Sequence, residues 1–160
     1  MLGSTAMVLN IKENGRERTL AFSGDVGRNN LPITKDPEPL PSCDYLIVES
    51  TYGDRLHKPP EAVCGKLADA VNRTLQRGGR LIAPAFAVGR TQEIVLLLHQ
   101  LIDAETIPEF PIFVDSPLAV NTTEVFRKHS ELYDDETRAM VDQDGDPFAF
   151  KNLRYIREVS

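Results

Sequence analysis

The 160-residue sequence has no tryptophan, only two cysteines and only three histidines. The cysteines lie in unlike contexts, Cys43 in a proline-rich loop and Cys64 in a helical pattern, with no Cys-x-x-Cys spacing. This usage predicts reduced thiols with structural roles and favours a reducing compartment, the cytoplasm. Neither cysteine is a good candidate for a metal ligand.

Long apolar runs and basic charge are also lacking. No apolar run approaches the roughly 18 residues that a membrane span needs, so no membrane partner is expected. The first residues show neither the basic segment nor the apolar core of a secretory signal. The net charge of −6 argues against binding nucleic acid through an overall basic field. Any RNA-binding function must therefore depend on a local site or on bound metal cations.

What the sequence does contain is an ordinary globular composition, with 41% hydrophobic and 26% charged residues. The length suffices for one core or for pieces of two domains. Residues 5–11 and 18–22 have strand character and flank Asn14-Gly15, a strong hairpin signal. The chain is therefore expected to open with a β-hairpin.

Four spaced prolines in residues 29–43 predict a surface loop, because proline removes an amide donor from a helix or a central strand. A strand is expected at residues 45–49. From residue 60 onward, helical apolar stripes alternate with short apolar runs, which indicates parallel strands with right-handed crossovers. Strands are predicted at Arg80–Phe86, Pro111–Asp115 and residues 153–159, and helices before Gly78, between Thr91 and Ile102, after Ser116 and at Asp134–Val141.

The composition shifts near residues 53–60, from a hairpin-rich part to the alternating part. This shift predicts two domain portions, residues 1–55 and residues 56–160.

Two acids follow apolar runs and are the first candidates for a functional site. Asp25 lies on a turn between Gly24 and Gly27, after the second strand of the hairpin, and Glu49 ends the next strand. Two buried strands that each end in an acid would present both carboxylates at one edge of a sheet. Both acids also have a structural explanation, Asp25 as a turn residue and Glu49 as an ordinary strand-end acid.

Four motifs together resemble the β-CASP branch of the metallo-β-lactamase fold, which includes ribonuclease J-like enzymes and the pre-mRNA 3′-end endonuclease. The motifs are Phe22–Arg28, Val48–Asp54, Gly78–Glu93 and Phe113–Ala119. The resemblance implies an α/β fold in which the C-terminal part of a metallo-β-lactamase domain precedes a Rossmann-like β-CASP region. It also implies a zinc-dependent ribonuclease, a hydrolase in which water activated by two metal ions cleaves RNA.

The resemblance assigns roles to both acids. Asp25 would be the aspartate that bridges two zinc ions, since one carboxylate can ligate two cations. Glu49 would be the catalytic acid of the family's first β-CASP motif, which orients a histidine further along the chain. In Glu-Ser-Thr-Tyr, the glutamate is similar to that of the RNA-processing members rather than the DNA-repair members.

The family's metal-binding histidine motif has no counterpart in the sequence. It would precede Met1, and the later β-CASP histidines would follow Ser160. His57, His99 and His129 match none of these and have no ligand spacing, so structural roles are expected for them. The sequence is therefore interpreted as a fragment that holds no catalytic zinc and has no nuclease activity alone. Exposed strand edges would favour association, which makes a homodimer possible.

RNA contacts are expected along the groove between the two domains. Arg90 begins a helix, where amides and a guanidinium can meet a phosphate, although an interdomain salt bridge to one of the motif acids is an equal alternative. Ser116 follows a strand end, although helix capping explains it completely. Tyr52 and Phe86 could stack on a base, but core packing is favoured for both. The candidates for RNA binding are Arg28, Arg55, Lys58, Arg90 and Ser116.

Two other functions remain open. A non-catalytic β-CASP-like subunit could bind RNA or an active paralogue, and the histidine motif upstream of Met1 would discriminate it from the enzyme. A nucleotide-binding α/β module ranks last, because Gly78-Gly79 precedes a strand and no Gly-x-Gly-x-x-Gly or Walker pattern occurs.

Overall fold

The computed structural model describes residues 2–56 and 60–157. The predicted hairpin is present, with β1 (Met7–Glu13) antiparallel to β2 (Arg16–Phe22). Asn14 and Gly15 have left-handed φ angles of +49° and +74°, as a two-residue hairpin turn requires. The local turn signal therefore fixes the register of this strand pair.

A third strand completes this sheet and determines where the two candidate acids lie. β3 (Tyr45–Ile47) runs parallel to β2, and Phe22 pairs with Ile47. The carboxyl ends of parallel neighbours meet at one edge of a sheet. The chain segments that carry Asp25 and Glu49 therefore leave the sheet at the same edge.

The second part of the chain alternates helices and strands as expected. Its elements are α1 (Pro60–Gln76), α2 (Arg90–Asp103), β4 (Ile112–Asp115), α3 (Pro117–Lys128), α4 (Asp135–Asp144) and β5 (Leu153–Ile156). β4 and β5 are parallel neighbours, with α3 and α4 in the connection between them. This arrangement confirms the α/β class. Within residues 2–56 and 60–157, no helix is long and apolar enough to cross a membrane.

The two faces of α2 pack into two apolar clusters. Val95 and Leu96 join a cluster built around Phe126, Tyr133 and Phe148, whereas the next turns of the helix join a cluster with α1. The second cluster contains Ala68, Val71, Leu98, Leu101, Ile107 and Ile112. Apolar residues thus lie on two faces of α2, and the helix packs between the two clusters.

The proline-rich loop at residues 29–43 packs against the second part of the chain. Ile33 is buried in the cluster with Tyr133, and Thr34 forms an isolated bridge to Tyr133. The amide of Asp134 also donates to the Ile33 carbonyl oxygen at 2.9 Å. The loop is therefore ordered by contacts that lie far along the chain.

The prediction of a strand at residues 80–86 is wrong, because the structure forms no strand there. The run lies beside β4 across a groove of about 430 Å³, to which Leu81, Ala83 and Ala85 contribute side chains. A strand requires hydrogen bonds to a neighbour, and Pro84 has no amide to donate. The apolar composition was sufficient to predict an extended run but not its pairing.

The strand predicted at residues 45–49 is present as β3, but the expectation that it is buried is wrong. The strand is only three residues long, and Tyr45, Leu46 and Ile47 are 59%, 50% and 54% exposed. None of the described helices makes extensive contact with this sheet. The apolar side chains of β3 therefore remain accessible on the described part of the chain.

Candidate functional site

The turn that carries Asp25 follows β2 directly and is held tightly. Gly24 has a φ of +61°, and a Cβ atom at this position would collide with the carbonyl oxygen of Thr5. The Ser4 hydroxyl donates to the carbonyl oxygen of Asp25 at 2.7 Å. The turn thus lies against the segment before β1, and the Asp25 residue is exposed.

Glu49 reaches the same turn from the neighbouring strand. Its Oε1 accepts the amide of Val26 at 2.7 Å, and its Oε2 accepts the hydroxyl of Thr51 at 2.7 Å. The Ser23 hydroxyl accepts the Glu49 amide at 3.3 Å. The structure therefore brings the Asp25 turn and Glu49 together at one edge of the sheet.

These contacts favour the ionised form of Glu49. The Thr51 hydroxyl, and after it the Val26 amide, hold the pKa of the Glu49 carboxyl below its ordinary value. Both groups donate hydrogen bonds to the ionised form. Glu49 is therefore an anionic acceptor at neutral pH.

The basic candidates lie in different segments of the chain. Arg55 lies over the ring of Tyr52 at 5.5 Å and pairs with Asp54 at 3.0 Å. Arg90 is half-exposed at the start of α2, where its Nη1 pairs with Glu93 Oε2 at 2.7 Å. Arg28 follows the Asp25 turn and is partly buried. Lys58 lies outside the described residues. The RNA-binding roles of these four residues stay predictions.

Ser116 has the structure of a helix cap. Its hydroxyl accepts the amide of Ala119 at 3.2 Å, its φ of −162° is extended, and Pro117 is the first residue of α3. The capping alternative is therefore confirmed, whereas an RNA contact at Ser116 remains a prediction.

Replacing Ser116 by alanine should lower the free energy of unfolding by about 1 kcal/mol, because one amide of α3 loses its partner. Urea denaturation would measure the change. RNA affinity, measured in parallel by fluorescence anisotropy, should stay the same if capping is the only role of Ser116. A Ser116→Ala chain with unchanged stability and weaker RNA binding would show a ligand role instead.

Gln92, two residues after Arg90 in α2, is a buried polar residue that the sequence pattern did not single out. It is fully buried, and its Nε2 donates to Thr123 Oγ1 at 2.9 Å and to the Ala87 carbonyl oxygen at 3.2 Å. Its Oε1 accepts the amide of Gly89 at 2.8 Å. The side chain thus connects the loop before α2 to α3. A glutamine three residues after a helix-capping glycine has the spacing of a capping box, which is the signal that could have identified it.

The two aromatic candidates contradict the preference for core packing. Phe86 is 84% exposed and Tyr52 is 54% exposed. The backbone of Phe86 is nevertheless fixed, because the Thr91 hydroxyl donates to its carbonyl oxygen at 2.8 Å. Their proposed contact with a base is not tested by this exposure.

The histidines that the structure describes have structural contacts. His99 is buried in α2, stacks on Phe150 at 4.4 Å and approaches the Pro147 carbonyl oxygen at 3.1 Å. His129 is exposed and contacts Glu131 Oε1 at 2.9 Å. His57 lies outside the described residues. Within residues 2–56 and 60–157, no three histidine, cysteine, aspartate or glutamate side chains are grouped so that they could hold a metal ion.

Comparison with known proteins gives consistent results. Residues 91–160 match the family model of the Beta-Casp domain. The chain is 34% identical over 142 residues to ribonuclease TTHA0252 of Thermus thermophilus, a match that covers 89% of this chain and 32% of that protein. Over 144 residues it is 36% identical to endoribonuclease YSH1 of Saccharomyces cerevisiae, with 86% and 18% covered.

An RNase J-like protein of Methanocaldococcus jannaschii is 30% identical over 154 residues, which cover 92% of this chain and 35% of that protein. The chain thus spans between about a fifth and a third of the length of these three relatives.

Proposed function

We propose, because the chain carries the signature of the β-CASP branch of the metallo-β-lactamase fold, that it is part of a zinc-dependent ribonuclease. The parent protein would hydrolyse RNA phosphodiester bonds with water activated by two metal ions. The names of the relatives, ribonuclease and endoribonuclease, support the nuclease class and RNA as the substrate. The single observation that carries the proposal is the pairing of the Asp25 turn with Glu49 at one sheet edge.

Asp25 would supply one ligand to the metal centre. Bound zinc lowers the pKa of its water ligand and stabilises charge on a phosphodiester. A zinc site requires three or four protein ligands, and the described residues alone do not form such a set. We therefore propose no reaction step for these residues. We also propose that the isolated chain is inactive and that the parent protein is cytoplasmic.

The proposed RNA contacts are measurable without catalysis. We expect Arg55→Ala and Arg90→Ala each to weaken binding of a labelled single-stranded RNA by about 3- to 10-fold, and to lower the dependence of log Kd on log salt by about one ion. Anisotropy at several salt concentrations provides both quantities.

Arg16→Ala is the matched control, because it also removes one positive charge. Arg16 is the first residue of β2, at the end of the strand away from the Asp25 turn. Equal losses in all three variants would indicate only a general charge effect and would contradict a local RNA site.

Cleavage is tested separately by incubating the chain with zinc and labelled RNA. We expect the RNA to remain intact. Cleavage that a chelator abolishes, and that Asp25→Ala largely removes, would contradict the proposal that the isolated chain is inactive. It would still support a metal-dependent ribonuclease.

A further inference from the structure

We propose that Glu49 is a positioning residue for Asp25. Its carboxylate fixes the peptide group after Asp25 together with the Ser4 hydroxyl, and its backbone amide anchors the Ser23 hydroxyl that holds the peptide group before Asp25. The functional consequence rests on the proposed metal role of Asp25. The positioning itself rests on hydrogen bonds alone.

The peptide group that follows Asp25 is held at both of its polar atoms. Its carbonyl oxygen, which belongs to Asp25, accepts the Ser4 hydroxyl at 2.7 Å. Its amide, which belongs to Val26, donates to Glu49 Oε1 at 2.7 Å. A peptide group is planar, so two bonds from opposite directions fix the ψ angle of Asp25.

The peptide group that precedes Asp25 is held as well. Its carbonyl oxygen, which belongs to Gly24, accepts the Ser23 hydroxyl at 2.7 Å. The oxygen of the same hydroxyl accepts the Glu49 amide at 3.3 Å, and the Ser23 amide donates to the Ile47 carbonyl oxygen at 3.0 Å. The φ angle of Asp25 is therefore also fixed, by a side chain that is anchored to the strand end before Glu49.

The carboxylate of Glu49 is itself held in place. Its second oxygen accepts the Thr51 hydroxyl at 2.7 Å. Both carboxylate oxygens therefore have a donor, the Val26 amide for one and the Thr51 hydroxyl for the other. A carboxylate has about four acceptor positions, which leaves capacity for a further donor. Glu49 can thus position the turn and still orient another group, but it does so as an ionised acceptor and not as a proton donor.

The first test is amide hydrogen exchange measured by NMR on the 160-residue chain. Glu49→Ala should accelerate exchange of the Val26 amide about 10-fold, because the amide loses its acceptor. Glu49→Gln retains one acceptor oxygen and should have an intermediate effect. The amide of Leu20 in the β2 ladder should be unaffected, which separates loosening of the turn from unfolding.

Glu17→Gln is the matched control, because Glu17 is an exposed glutamate in β2 that pairs with Lys12. The part of the Val26 amide-shift titration that Glu49→Gln removes should have its inflection below the ordinary glutamate pKa of about 4.3. Thr51→Val should raise that inflection, since the hydroxyl favours the charged form. Unchanged Val26 exchange in Glu49→Ala, or an acid-range inflection that Glu49→Gln leaves unaltered, would overturn the positioning role.

A second measurement separates the positioning role from the metal role. In the longer parent protein, where the metal ligands would be complete, Asp25→Asn should remove most of the bound zinc, measured by metal analysis after dialysis, and Glu49→Ala should weaken zinc retention several-fold. If Glu49 controls the Val26 amide but Asp25→Asn leaves the zinc content of the parent protein unchanged, the proposed metal role of Asp25 fails and the positioning role stands. If Glu49→Ala retains zinc as well as the unchanged parent protein, the consequence for metal binding is overturned.

Discussion

Replacing Phe148 by alanine should lower the free energy of unfolding by about 3–5 kcal/mol, the usual cost of removing a large buried aromatic ring. Phe148 is completely buried, and its ring meets Phe126 and Tyr133 edge-on at centroid distances of 6.2 and 6.3 Å. The ring packs against Phe126 in α3 and against Tyr133 in the segment between α3 and α4. The cavity would therefore lie where these two segments meet. Urea denaturation followed by circular dichroism would measure the loss.

The backbone around Phe148 limits how far the cavity can close. Its carbonyl oxygen accepts Arg127 Nη2 at 2.9 Å and the Tyr155 hydroxyl at 3.0 Å. Arg127 also pairs with Asp146 Oδ2 at 2.6 Å. Because these contacts do not involve the ring, they would remain in Phe148→Ala and hold the walls of the cavity apart, which favours the upper part of the range.

Phe113→Ala is the control for this prediction. Phe113 is 58% exposed in β4, so its removal should change stability by no more than about 0.5 kcal/mol. Comparable losses for Phe148→Ala and Phe113→Ala would mean that the cluster around Phe148 is not packed as the structure describes.

The elements that the sequence predicted well are those whose signals are local. The Asn14-Gly15 turn is specified by the φ angles that these residues tolerate, and α3 begins at the Ser116-Pro117 signal. Both depend on contacts within a few residues. The run at residues 80–86 failed as a strand because pairing depends on a neighbour that lies about 30 residues away in the sequence. The domain boundary near residue 55 stays a prediction.

The candidate site divides in the same way. A strand-end rule was enough to select Asp25 and Glu49, because parallel strands end at one sheet edge. The hydrogen bond from the Val26 amide to Glu49 joins residues 23 positions apart, and no periodicity predicts it. The exposure of Tyr52 and Phe86 could not be predicted either, since apolar character does not say whether another surface will cover a side chain.

Replacing Gln92 by methionine should lower the free energy of unfolding by about 3 kcal/mol. Methionine has a similar length but neither donates to Thr123 Oγ1 nor accepts the Gly89 amide as strongly. Gln92 is 0% exposed, so water cannot replace the lost partners. Leaving buried polar groups unpaired costs about 1–3 kcal/mol each, and the losses at one site are not fully additive. Thermal or urea denaturation would measure the effect.

Gln100→Met is the matched control, because Gln100 lies on the same helix with an exposed side chain. It should change stability by less than about 0.5 kcal/mol. If both variants lost little, the hydrogen bonds of Gln92 would have to be replaceable by relaxation of the loop before α2.

Gln92→Glu adds a test in which pH separates charge from shape. Burial and the facing carbonyl oxygens of Ala87 and Ala119 would raise the pKa of a carboxyl at this position above its unfolded value. Below the unfolded pKa the carboxylic acid is neutral in both states, so the variant would approach the stability of Gln92→Met or exceed it. As pH rises through the folded pKa that stability would be lost, and the deficit at pH 7 should exceed that of Gln92→Met. A pH-independent difference between the two variants would show that position 92 reaches water, and that α2 and α3 are not joined through a dry contact.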